Sequence, residues 1–289
     1  MSGAALPAER AGHAAPPDLA ERRRQMTAAQ AAGTWAVTPP PEEVFLAGRR
    51  TLVFRPPTSA APRCRMLHLH GGAFRLGTPE MEAPLAVALT AACPVEIIAP
   101  QYRLAPEHPF PAGLNDALAV LAALPADGLP LVLSGDSAGG GLAAGLAMLA
   151  AEAGIRLAAL VMHSPWLDLT VTAPSYDANA ATDPLFSRAS AEAGAALYLQ
   201  GLDPRHPLAS PLHGALAGLP RCLVTVGSGE VLVDDARRFH ARLREAGVAS
   251  ELCEIAGMDH VAVVRSLELP GARRVFARIV HLLGDIAAR

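Results

Sequence analysis

One stretch of this sequence leaves the fold little freedom. The apolar run Leu129-Pro130-Leu131-Val132-Leu133-Ser134 passes directly into Gly135-Asp136-Ser137-Ala138-Gly139, then into small residues that continue to Ala153. A short apolar run stopped by glycine reads as a buried strand, and the Ala- and Leu-rich segment behind it, free of proline, reads as a helix. Ser137 must therefore sit on a sharp turn between them. Glycines two residues before and two after it mark positions where the backbones approach too closely for a Cβ. A strand running straight into a helix is the repeating unit of a parallel sheet.

The rest of the chain continues that rhythm. Strands are expected at Arg50–Phe54, Met66–His70, Val95–Ala99, Leu129–Ser134, Leu157–His163, Cys222–Val226 and Glu251–Ile255. Helices are expected near Ala112–Leu124, Gly139–Ala153, Asp234–Ala246 and Gly271–Ala287. The fold class is therefore α/β, a mostly parallel central sheet covered by helices on both faces. Two regions break the alternation. Residues 1–45 read as an N-terminal cap segment, with Asp18 capping a helix and Pro39-Pro40-Pro41 ending it. An insertion at about 170–206 holds polar turns around a helical piece at Arg188–Leu199. Residues 46–289 then form one domain, which both regions would cover at the C-terminal edge of the sheet, where ligand sites collect.

Charge and cysteine content exclude several classes. A net charge of −3 offers no electrostatic attraction for nucleic acid. Lys is absent and every basic side chain but histidine is Arg; Arg22-Arg23-Arg24 reads as a solvated helix face rather than a basic patch. The longest apolar stretch, around Ala138–Ala151, falls short of the roughly 20 residues that span a bilayer. Cys64, Cys93, Cys222 and Cys253 form no CxxC pair, and the first residues lack an apolar leader, so a cytoplasmic location is expected.

The turn at Ser137 suits nucleophilic chemistry, because it lifts a hydroxyl clear of the backbone at a helix N-terminus. His70-Gly71-Gly72-Ala73-Phe74 follows an earlier strand. Adjacent glycines there can turn N–H groups outward to meet a developing oxyanion, with Gly71, Gly72, Ala73 and Ala138 as candidate donors and Phe74 as a candidate substrate contact. A general base must then be chosen among ten histidines. His260, in the turn after the last strand, fits the order nucleophile, acid, base; His163, at a strand end, is the rival. The acid is Glu230, between a strand and a helix, with Asp234 as alternative; Asp234 and Asp235 otherwise complement the helix dipole. His68 and His70 share a strand face, but no third ligand at suitable spacing makes them a metal pair. No metal is expected.

These motifs together resemble the hormone-sensitive lipase family of bacterial α/β-hydrolases. HGGAF at 70–74, QYRLAPEHPFPA at 101–112, SGDSAGG at 134–140, SPWLDLT at 164–170, DPRHPLASPL at 203–212 and GMDHV at 257–261 occur in family order. The resemblance implies an α/β-hydrolase fold, a helical cap, and carboxylesterase activity on short- to medium-chain acyl esters without a cofactor. Ala73 stands where the family commonly has a fourth glycine, and Glu230 where it usually has Asp. The implied partner is a small-molecule acyl ester, with no nucleic acid and no membrane span; a homodimer is one assembly left open. A lactonase or amidase would use the same residues. A catalytically silent binding protein would be expected to lose one of them, and a dehalogenase or epoxide hydrolase would carry Asp in place of Ser137.

Overall fold

The computed structural model describes residues 5–57 and 61–288; residues 1–4 of the N-terminal segment lie outside it. Among the described residues, eight strands form one sheet: β1 (Glu42–Leu46), β2 (Arg49–Phe54), β3 (Cys64–Leu69), β4 (Val95–Pro100), β5 (Leu131–Asp136), β6 (Ala159–His163), β7 (Cys222–Gly227) and β8 (Ser250–Ile255). The helices are α1 (Pro17–Ala31), α2 (Ala83–Ala92), α3 (Ala112–Ala122), α4 (Ala138–Glu152), α5 (Ser175–Ala178), α6 (Arg188–Leu199), α7 (Val233–Glu245), α8 (Ala262–Arg265) and α9 (Ala272–Ala287). The order across the sheet is β1-β2-β4-β3-β5-β6-β7-β8, antiparallel at β1/β2 and β2/β4 and parallel elsewhere. This is an α/β-hydrolase fold.

Alternation along the central strands divides the core in two. Leu67, Leu133, Met162 and Val224 face one hydrophobic cluster with α3, α4 and α7; Met66, Val132, Val161 and Leu223 face another with α2, α8 and α9. Side chains that alternate faces, both apolar, are what a sheet buried on both sides demands. Among the described residues, no helix is long and apolar enough to cross a membrane.

All seven expected strands are present, and β1 adds an eighth. Its sequence, EEVFL, is mostly exposed, so it lacks the apolar run of a buried strand and pairs as the outer half of a hairpin with β2. Helix α1 begins at Pro17, with Pro16 as N-cap and no side-chain capping bond, so Asp18 lies in the first turn rather than capping it. Proline suits a helix start because its φ is preset and no N–H is needed there.

The register brings the strand ends level. Leu69 pairs with Gly135, Asp136 with His163, His163 with Thr225, and Gly227 with Ile255. The loops that leave these ends carry residues 70–74, Ser137, Ser164, Glu230 and His260, so a common edge collects them.

Candidate active site

Ser137 has φ +50 and ψ −121, a conformation that a residue with a Cβ adopts only under strain. The surroundings hold it there: its N–H donates to the His163 carbonyl at 2.8 Å and its own carbonyl accepts from Trp166 N at 2.9 Å. A Cβ on Gly135 would collide with the Gly139 carbonyl, and one on Gly139 with the Leu69 carbonyl, so both glycines are fixed by close approach.

Ser137 Oγ stands 3.0 Å from His260 Nε2, and His260 Nδ1 stands 2.8 Å from Glu230 Oε2. A carboxylate only accepts, so Nδ1 carries the proton and Nε2 presents its lone pair to the serine hydroxyl. Burial pulls the His260 imidazole down, but the hydrogen bond and charge of Glu230 outweigh it, and the ring is held above its ordinary value of 6.5. The other Glu230 oxygen, Oε1, accepts from Gly227 N and, at 2.8 Å, from Ser164 Oγ. All three side chains expected from the sequence thus meet in one chain of hydrogen bonds.

In the loop after β3, Gly72, Ala73 and Phe74 have φ of +117, +52 and +62. The Gly72 carbonyl accepts from Arg75 N and Leu76 N, closing the loop. Among the described residues, the N–H groups of Gly71, Gly72, Ala73 and Ala138 donate to no protein acceptor. Free N–H groups at a helix start and a glycine loop are what a developing oxyanion needs. Ala73 takes up a left-handed conformation that glycine adopts without cost.

Phe74 is buried. Its ring is held by protein, stacked on Tyr198 with centroids 3.8 Å apart and packed against Trp166 at 5.5 Å. The stack ties the glycine loop to α6.

The rival residues are engaged elsewhere. His163 is buried, its Nδ1 stands 2.9 Å from Thr225 Oγ1, and burial pushes it down to about 3. The ring of His70 stacks on Tyr102, and its Nδ1–H donates to the Gly71 carbonyl at 2.8 Å. Asp234 accepts from Ser175 N at 3.0 Å and pairs with Arg237. Asp235, expected to serve the helix dipole, instead accepts from Leu167 N at 2.9 Å and Asp168 N at 3.0 Å, clamping the turn after β6. Its neighbours in the fold, not its place in the helix, decide its role.

Among the described residues, His68 and His70 do not fall in one group of candidate metal ligands. His68 is grouped instead with Glu82 and Asp136, all buried, with candidate donor atoms within 4.8 Å of one another. His68 Nε2 stands 2.7 Å from Glu82 Oε2 and 3.4 Å from Asp136 Oδ1.

The two regions outside the alternation touch one another and the loops of this edge. Arg10 donates to the Leu199 carbonyl at 2.7 Å, and Arg75 to the Ser190 carbonyl at 3.1 Å. Arg23, read as part of a solvated face, anchors α1 through the Arg75 and Ala105 carbonyls and Glu107. Ser164, Asp183 and Phe186 were not singled out from the sequence. Only for Ser164 was there a signal, its place at the head of SPWLDLT just after a strand.

Comparison with known proteins follows the same line. A family described as alpha/beta hydrolase fold matches residues 66–264. An acetyl-hydrolase of Streptomyces hygroscopicus is 41% identical over 239 residues, covering 81% of this chain and 80% of the relative. An esterase of Acinetobacter venetianus is 35% identical over 221 residues, covering 75% and 73%. A crystal structure of an esterase from the bacterial hormone-sensitive lipase family superposes with a TM-score of 0.83 at 33% identity, covering 95% of this chain and 100% of the other.

Proposed function

This chain belongs to the α/β-hydrolase fold family, among the esterases of the bacterial hormone-sensitive lipase family, and hydrolyses carboxylic esters; we propose that it does so with Ser137 as nucleophile, His260 as base and Glu230 as acid, on short- to medium-chain acyl esters. The observation that carries this reading is the unbroken run of hydrogen bonds from Glu230 through His260 to Ser137. In the first half-reaction Ser137 Oγ attacks the ester carbonyl carbon while its proton passes to His260 Nε2. The carbonyl oxygen takes up the negative charge against the N–H groups of the Gly71–Ala73 loop and Ala138. As the tetrahedral intermediate collapses, the C–O bond to the alcohol breaks and His260 returns the proton to the departing oxygen. Water then attacks the acyl carbon, giving one proton to His260. That proton returns to Ser137 Oγ as the acid leaves. Glu230 accepts from Nδ1–H and stabilises the imidazolium as it forms.

Residues 5–45 and the insertion at 170–206 form a cap in this reading. Both Ser137 and His260 are buried beneath it, at 5% and 7% exposure. The reading is tested by Ser137→Ala and by a fluorophosphonate probe. Turnover of p-nitrophenyl butyrate should vanish in the variant with the fold retained. The wild type should take one equivalent of probe at Ser137. Label on another residue, or substantial activity in the variant, would overturn it.

A further inference from the structure

We propose that Ser164 is a positioning residue for ester hydrolysis, its hydroxyl holding the acid and the loop of the base in register. The inference rests on the reading of Ser137, Glu230 and His260 above. Ser164 follows the last residue of β6 and is 1% exposed. Its N–H donates to the Thr225 carbonyl at 2.6 Å, which ties it to β7. Its Oγ–H donates to Glu230 Oε1 at 2.8 Å, and the same oxygen accepts from Val261 N at 3.0 Å. A hydroxyl has one hydrogen and two lone pairs, so both bonds form at once.

The two bonds reach parts of the chain that nothing local would align. Glu230 lies on the loop after β7, and Val261 directly follows His260. Ser164 has φ +46 and Val261 φ +50, so the bridge joins two residues with side chains held in left-handed conformations. Such strain persists where the surroundings over-determine it, and it gathers at working sites. With Gly227 N and Ser164 Oγ both on Oε1, the Glu230 carboxylate cannot rotate, and Oε2 is left to His260 Nδ1. On the other side, the bond to Val261 N fixes the peptide that carries the imidazole. Misplacement of a reacting group by an ångström costs on the order of 10² in rate.

The experiment compares Ser164→Ala with wild type on p-nitrophenyl butyrate across pH, alongside fluorophosphonate labelling. Removal of the hydroxyl should lower kcat by about 10- to 100-fold with KM changed less than about 2-fold, because substrate does not touch Ser164. The acidic limb of kcat/KM should move to higher pH. Glu230, relieved of one donor, becomes the stronger acceptor for His260 and raises its proton affinity. In a Glu230→Gln background the same substitution should cost less than in wild type, since only the bond to Val261 N then carries its effect. Ser164→Gly, which suits the left-handed backbone better, repeats the test if the alanine variant does not fold. Wild-type kcat and an unmoved limb in folded Ser164→Ala or Ser164→Gly would overturn the proposal. Failure of the parent reading looks different: the probe would miss Ser137 in the wild type.

Discussion

The ring of Phe186 lies parallel to the imidazole of His260, with centroids 5.7 Å apart and planes 9° from one another. Phe186 comes from the segment before α6, and that segment is fastened to the loop of Glu230 by one carboxylate. Asp183 Oδ1 accepts from Leu185 N and Phe186 N, each at 3.0 Å, and Oδ2 accepts from Val231 N at 2.9 Å. Thr182 and Asn179 add bonds to the Gly229, Ser228 and Glu230 carbonyls. These bonds hold Phe186 and the loop of Glu230 in one register.

The stack has a consequence for pH dependence. Burial opposes the charged form of His260, and Phe186 supplies part of that burial. The imidazole must be neutral to accept the serine proton, so activity is lost as pH falls through its pKa. Because that pKa is held above 6.5, the acidic limb of the wild-type kcat/KM profile is expected above 6.5. Phe186→Ala lets water reach the ring and should move the limb to still higher pH. The variant should therefore lose activity on the acid side and little on the alkaline side. An unmoved limb would show that Phe186 contributes packing alone.

A buried carboxyl outside the reacting groups sets a second pH dependence. Burial pushes Asp235 up to about 7 despite two backbone donors, and the nearby Asp168 charge adds to it. A folded-state pKa above the unfolded value means that the folded chain holds a proton the unfolded chain has released. Stability from Asp235 is therefore full below about pH 4 and lost as pH rises toward about 7. Glu82, which burial beside Asp136 also pushes up to about 7, has the same sign. Their contribution to the thermal midpoint should accordingly fall between about pH 4 and 7, against the rising contribution of His163 and His70, which burial holds below the ordinary imidazole value. Asp235→Asn should flatten that slope, whereas Asp235→Ala should cost about 1–3 kcal/mol at every pH by leaving Leu167 N and Asp168 N without an acceptor. Calorimetry of the three proteins across this range checks both, and an unchanged slope in Asp235→Asn would contradict the first.

Enclosure should also limit substrate length. Helix α6 closes on the glycine loop, where Tyr198 stacks on Phe74 and Gly194 packs so near Trp166 and Ala73 that an added Cβ would stand 3.3–3.4 Å from them. A site covered this tightly favours small acyl groups and excludes water from the reacting atoms. Turnover of p-nitrophenyl esters is expected to be best at acyl chains of about eight carbons or fewer. Faster hydrolysis of emulsified long-chain triglyceride than of soluble short esters would contradict this.

How much of this was legible in the sequence depends on the range of the interaction. The strand, turn and helix around Ser137 are local, and their pattern is nearly complete between Leu131 and Glu152. The outer strand β1 and helix α2 escape because neither carries a clean period: β1 is mostly exposed, and α2 is apolar all round. Side-chain roles fail for a different reason. Asp235 at the start of α7 has the local look of a dipole partner, yet its acceptors' donors come from Leu167 and Asp168 on another strand's loop. Ser164 reaches Glu230 and Val261 across 66 and 97 residues, distances over which no spacing rule operates.

The acid is where sequence left two candidates, and geometry now makes them easy to separate. The backbone of Glu230 is pinned by its own N–H to the Gly227 carbonyl at 3.1 Å and by Asn179 Nδ2 on its carbonyl at 2.7 Å. From that fixed point its extra methylene lets one carboxylate serve Ser164 and Gly227 with Oε1 and His260 with Oε2. An amide at this position keeps the shape but can turn a donor toward Nδ1. The imidazole would then carry its proton on Nε2 and could no longer accept from Ser137. A swap of this kind costs on the order of 10⁴ in the serine-protease template, and Glu230→Gln is expected to lose at least about 10² in kcat. Glu230→Asp keeps the charge but cannot span both sets of partners from the same backbone, so activity between the two is expected. Asp234 faces Ser175 N and Arg237, away from the imidazole. Asp234→Asn should therefore lose no more than about 1 kcal/mol, and that in stability rather than in kcat. Steady-state kinetics of the three variants decide the matter: a crippled Asp234→Asn beside a nearly wild-type Glu230→Gln would move the acid to Asp234.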